Sequence, residues 1–91
     1  MKGKGTKYGE WQKKAILGGE CKRCHKVFNR LTVDHIIPQV LCRELNAFEY
    51  IYDNEENFNL ICMSCNAYKN SKIDITDPVS VKILKEIVNR L

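Results

Sequence analysis

No apolar run in these 91 residues is long enough to cross a bilayer, so no helical membrane span and no membrane partner is expected. The opening MKGKGTKYGEW is basic, but no apolar segment follows it, so no secretion signal is expected either. An intracellular, cytoplasmic setting follows, with cysteines kept reduced rather than paired in disulfides. There is no internal repeat beyond a duplicated CxxC, and no low-complexity stretch past residue 7. What is most scarce is chain. A core built from so few residues is marginal in water, and such domains are usually stapled by a disulfide, a metal or a partner.

The staple is visible. Five cysteines occur, and four form two CxxC pairs, Cys21-Lys22-Arg23-Cys24 and Cys62-Met63-Ser64-Cys65, with 37 residues between them. A CxxC turn sets two sulfurs on one side, and two such turns close a tetrahedron around Zn²⁺. Four thiolates leave no open position, so the expected zinc is structural. A redox dithiol would need only one pair, near a βαβ unit that is absent. Cys21 to His25 also fits the haem-attachment pattern CxxCH, but that leaves the second pair without a purpose. Cys42 stands outside both pairs and reads as a small buried apolar residue.

Charge is uneven. Residues 1–30 carry nine Lys/Arg against two Glu, and residues 31–91 carry six against nine Asp/Glu. A basic end on a more acidic body suits a polyanionic partner. Residues 1–7 read as a disordered basic tail, and residues 8–91 as one domain. Within it the pattern predicts a helix from Tyr8 to Leu17, ended by Gly18-Gly19. A hairpin follows, with Val27-Phe28 pairing Leu31–Ile37 across an Asn29-Arg30 turn. Apolar residues at 41, 45, 48 and 52 predict a helix over 40–51. Asn59 to Cys62 reads as extended, Met63 to Ser71 as a helix, and Asp77-Pro78 as the start of a last helix.

One stretch raises a chemical question. In Val33-Asp34-His35-Ile36-Ile37-Pro38 an acid and a histidine are consecutive on a strand that proline then stops. Further on, Asn57 lies nine residues before Asn66, and Cys62-Met63-Ser64-Cys65-Asn66 is followed by Lys69. CxxC, DHIIP, the spaced asparagine and CxxCNxxK occur in an order that resembles the HNH endonucleases, over residues 21–72.

The resemblance implies an α+β fold: a ββα-metal unit of hairpin plus helix, flanked here by N- and C-terminal helices and held by the structural zinc. It implies metal-dependent hydrolysis of DNA phosphodiesters to 5′-phosphate and 3′-hydroxyl ends. Its signature maps to His35, Asn57 and Asn66. His35 would be the general base, since imidazole accepts a proton near neutrality. Asp34 and Asn66 would hold Mg²⁺, with Mn²⁺, Ni²⁺ and Zn²⁺ also open. Asn57, preferred over Asn59 by its spacing, would orient His35. Lys69 would steady a phosphate. Lys13, Lys14, Lys22, Arg23, Lys26 and Arg30, with Lys2, Lys4 and Lys7, are the expected contacts to the DNA backbone. Tyr8 and Trp11 read as packing residues. Cutting both strands with one site would call for a homodimer or a partner protein. Stand-alone members this small are common in bacteriophages and mobile elements. The rival reading is a non-catalytic zinc-binding nucleic-acid module, and a zinc-stapled protein-interaction domain is a third.

Overall fold

A computed structural model describes residues 6–69 and 72–90. Helix α1 (Lys7–Ile16) begins where Thr6 accepts the Gly9 N–H at 3.0 Å, so ordered structure includes Thr6 and Lys7. Two short strands, β1 (Gly19–Glu20) and β2 (Val27–Phe28), pair antiparallel and carry the first CxxC between them. Strand β3 (Thr32–His35) pairs antiparallel with β4 (Phe58–Ile61), with Asp34 opposite Asn59 and His35 opposite Phe58. Between them lie α2 (Gln39–Glu44), α3 (Glu49–Tyr52) and a 3-10 turn at Glu55–Asn57. Helix α4 (Met63–Lys69) leaves β4 directly, and α5 (Pro78–Val88) closes the fold.

The α+β class and the ββα arrangement are as expected, but the strand pairing is not. Val27-Phe28 does not pair forward with Leu31–Ile37; it pairs back onto Gly19-Glu20. The strand that partners Asp34 and His35 is β4, which follows a connection of 22 residues. Gly18 makes the first hairpin possible. It ends α1 with φ +80°, and a β-carbon there would lie 2.5 Å from the carbonyl oxygens of Phe28 and Asn29.

The helix expected over 40–51 is two helices. Asn46 adopts φ +56° and breaks it, which asparagine tolerates better than most residues. The break rotates the apolar face. Phe48 and Tyr52 become exposed, whereas Cys42, Ala47, Tyr50 and Ile51 are buried. Those four pack with Ile37 and with Ile83 and Ile87 of α5 into one core. A second core gathers Ala15, Cys21, Leu31, Ile61 and Cys62. The last helix starts as expected, with the Asp77 side chain accepting the Val79 N–H at 3.0 Å. Leu91 of its expected stripe and residues 70–71 of the expected 63–71 helix lie outside the described residues. No helix among the described residues is long and apolar enough to cross a membrane.

Gly18→Ala is expected to lower stability by about 2 kcal/mol through left-handed strain and the backbone clash. Urea unfolding checks this, and Gly19→Ala is a weak control for packing because its β-carbon would meet only Leu31, at 3.9 Å.

Candidate active site and metal centre

The two cysteine pairs meet. Their four sulfurs lie within 4.8 Å of one another, and Cys24 Sγ is 3.9 Å from Cys62 Sγ. A tetrahedron of Zn–S bonds of about 2.3 Å separates its sulfurs by about 3.8 Å, so the set could hold zinc. Each turn also aims backbone N–H groups at sulfur. Arg23 and Cys24 donate to Cys21 Sγ at 3.4 Å, and Cys65 donates to Cys62 Sγ at 3.5 Å. Burial works against ionisation of Cys21, but the N–H groups of Cys24, Cys62 and Arg23 outweigh it and hold the thiol at about 6. The cluster joins the β1–β2 turn to the start of α4. Cys42 lies apart, buried, its thiol pushed up to about 11 by burial first and by Glu49 second. His25 sits in the first turn at φ +63°, facing Glu20 at 3.0 Å.

The DHIIP strand has β4 on one side, and on the other it opens to a cleft of about 430 Å³. Asp34, His35 and Asn66 all line this cleft, with Tyr8, Gln39 and Arg43. Alternation along β3 turns Asp34 and His35 to opposite faces. Thr32, on the Asp34 face, accepts from Asn66 Nδ2 of α4 at 3.0 Å. His35, on the other face, packs tilted against Tyr8 of α1 at 4.8 Å and edge-on to Phe58 at 5.2 Å. The two faces meet at the open edge of the strand. A second cleft, about 460 Å³, shares Tyr8, Val33 and Asn66 and extends the groove to Arg30.

Each polar side chain in this region is held. His35 Nε2 lies 2.8 Å from the Ile51 carbonyl and Nδ1 lies 3.3 Å from Gln39 Nε2. A carbonyl only accepts, so Nε2 carries the proton and Nδ1 keeps its lone pair. Burial lowers the His35 pKa from its ordinary value, partly opposed by the Ile51 carbonyl and by Asp34. The buried Asp34 carboxylate accepts from Lys69 Nζ at 3.0 Å, and the same ammonium donates to the His35 carbonyl at 3.0 Å. Lys69 is therefore engaged inside the site rather than extended to solvent. The Asn66 side-chain oxygen takes no hydrogen bond among the described residues.

Asn57 is fully buried. Its Oδ1 accepts the Ile37 N–H at 2.7 Å, and its Nδ2 donates to the carbonyls of Ile37 at 3.1 Å and Tyr50 at 2.9 Å. It fixes the exit of β3 against the segment whose Ile51 carbonyl holds His35. Asn59 lies opposite Asp34 and lines a further cleft, which Asp34 and Lys69 line as well. Trp11 packs on Phe58 and donates to Glu55 at 3.1 Å, and both expected packing aromatics are in that role.

The expected DNA contacts are dispersed. Lys13, Lys14, Lys22, Arg23, Lys26 and Arg30 are exposed on α1, the first cysteine turn and the β2–β3 link. Lys14 covers Trp11, and Arg23 covers Tyr68 at 5.2 Å. Lys2 and Lys4 lie outside the described residues. Gln39 and Arg43 were not expected at the site. Their only signal is four-residue spacing directly after DHIIP.

A family model described as HNH endonuclease matches residues 21–72. No curated protein and no solved structure matches the chain.

Two outcomes follow. One zinc per chain is expected by metal analysis, lost in Cys62→Ser and kept in Cys42→Ala. Below about pH 6.5 the unfolded chain takes up a proton at His35 that the folded protein resists. Stability is then expected to fall as pH drops through that value, and less steeply in His35→Gln, read by thermal unfolding across pH.

Proposed function

The chain belongs to the HNH endonuclease family, and we propose that it is a metal-dependent DNA endonuclease with His35 as general base. The observation that carries this reading is the convergence of Asp34, His35 and Asn66 on one cleft at the open edge of β3. Asp34 and Asn66 would hold the divalent ion. A carboxylate and an amide oxygen, completed by water, suit a hard cation such as Mg²⁺, and an Asn66 oxygen with no hydrogen bond among the described residues supports that fit. When bound, the ion would stabilise charge on the leaving 3′-oxygen.

The chain's own groups do the rest. His35 Nδ1 takes a proton from the attacking water, whose oxygen bonds to phosphorus as the bond to the 3′-oxygen breaks. The products carry 5′-phosphate and 3′-hydroxyl ends. The Ile51 carbonyl fixes the tautomer this needs, and Asn57 positions that carbonyl's segment. Lys69 lowers the cost of a buried Asp34 carboxylate. The groove between Arg43 and Arg30 would follow the DNA backbone, so affinity should depend on salt more than on sequence.

The Lys69–Asp34 pair favours one second reading. An acid already matched by a lysine has no need of a metal, as a non-catalytic zinc-stapled nucleic-acid module would have it. A supercoiled plasmid assay separates the two. With zinc-loaded protein and Mg²⁺, wild type is expected to nick or linearise the plasmid, and His35→Ala to be slower by about 100-fold or more. Equal cleavage by both would remove His35 from the mechanism. Binding without cleavage by wild type would favour the module.

A further inference from the structure

The hydrogen bonds around His35 run in one direction and continue beyond it. Nε2 donates to Ile51, so Nδ1 has only its lone pair to offer. The group facing that lone pair at 3.3 Å is the side-chain amide nitrogen of Gln39. With its nitrogen committed to His35, Gln39 presents Oε1 outward, and Arg43 Nη2 donates to it at 3.1 Å. Reversing the Gln39 amide would set oxygen against a lone pair and NH₂ against a guanidinium, so the chemistry admits one orientation. Gln39 and Arg43 share a face of α2 at i and i+4. Gln39 is half-buried, Arg43 is exposed, and both line the cleft of Asp34, His35 and Asn66.

This arrangement conflicts with a free base. A lone pair that accepts from an amide cannot at the same time accept from water. The contact holding the cap in place is a single bond from a guanidinium to a neutral amide. Phosphate competes for a guanidinium with two charge-assisted bonds, which are stronger. We infer that Gln39 caps the proton-accepting nitrogen of His35 in the free protein, and that a substrate phosphate flanking the scissile bond draws Arg43 away and uncaps it. Arg43 is then both a phosphate contact and the release for the cap, and Gln39 is a positioning residue that keeps the base idle without substrate. This rests on the reading of His35 as base, although the cap itself is a property of three side chains.

The imidazole ¹⁵N spectrum tests the cap without catalysis. Zinc-loaded protein carrying His25→Gln leaves one histidine to observe, at about pH 8, where imidazole is neutral. Without Mg²⁺, wild-type Nδ1 should show the shift of a hydrogen-bonded acceptor. Gln39→Met, similar in size, and Gln39→Ala should both move it to that of a free lone pair. A short DNA duplex should produce the same movement in the Gln39-containing protein, and Arg43→Ala, which lacks the contact that holds the cap, should show that movement before DNA is added. A protonated Nδ1, or an Nδ1 indifferent to both Gln39 and DNA, would overturn the cap.

Kinetics with Mg²⁺ then tests its role. Bis(p-nitrophenyl) phosphate has no flanking phosphate to engage Arg43. Gln39→Met should raise its hydrolysis about fivefold while leaving duplex cleavage within about twofold. Arg43→Ala should raise KM on duplex, raise bis(p-nitrophenyl) phosphate hydrolysis as Gln39→Met does, and gain nothing further when Gln39→Met is added. Slower hydrolysis of both substrates by Gln39→Met would mean that Gln39 assists the base, and would overturn the proposal. A wild type that cleaves neither substrate would defeat the nuclease reading, while the ¹⁵N spectrum would still decide the cap.

Discussion

The fold turns on the carboxamide of Asn57. It satisfies both backbone groups of Ile37 and the carbonyl of Tyr50, three groups from two segments distant in sequence, without exposure to water. A buried peptide group without a partner is costly, so the side chain that pairs three at once is hard to replace. Through it the end of the DHIIP strand, the helical connection and the start of β4 become one unit. His35 then inherits its orientation from backbone, since the residue after Tyr50 supplies the carbonyl that accepts from Nε2.

The cysteine cluster does the corresponding work at the other end of β3–β4. It ties the first hairpin to α4 and sits in the core that includes Leu31 and Ile61. The strand carrying Asp34 and His35 is thus held at both ends by different chemistry: four sulfurs near its beginning, and one amide and an aliphatic core near its exit. Two small cores, each too slight to stand alone, share the strand pair between them.

Much of this was legible in the sequence, for identifiable reasons. The CxxC pairs, the consecutive acid and histidine, and the Asp77-Pro78 helix start are local signals: the four cysteines cluster, the acid and histidine line one cleft, and a helix starts at Pro78. The partner of β3 was not legible. Val27-Phe28 has the same strand propensity whichever way it pairs, and the choice is made by Gly18 and by contacts across 22 intervening residues. Helical periodicity over 41–52 was genuine in its first half only, because Asn46 turns the chain and exposes Phe48 and Tyr52. Gln39 and Arg43 look like solvent-facing residues of a short helix, and only the geometry beside His35 gives them a place. Lys69 reads in the sequence as a phosphate contact, and its engagement with Asp34 was not legible there.

Among the described residues, strand β3 pairs with a neighbouring strand on one side only. An open strand edge is an invitation to other chains, because its free N–H and C=O groups can template another strand. Here the edge is short, it ends at a proline, and α1 and α4 stand on either side of it with Tyr8 and Asn66 at the rim. The walls that shape the cleft therefore also stand over an edge that would otherwise be free to pair with a second copy of the chain.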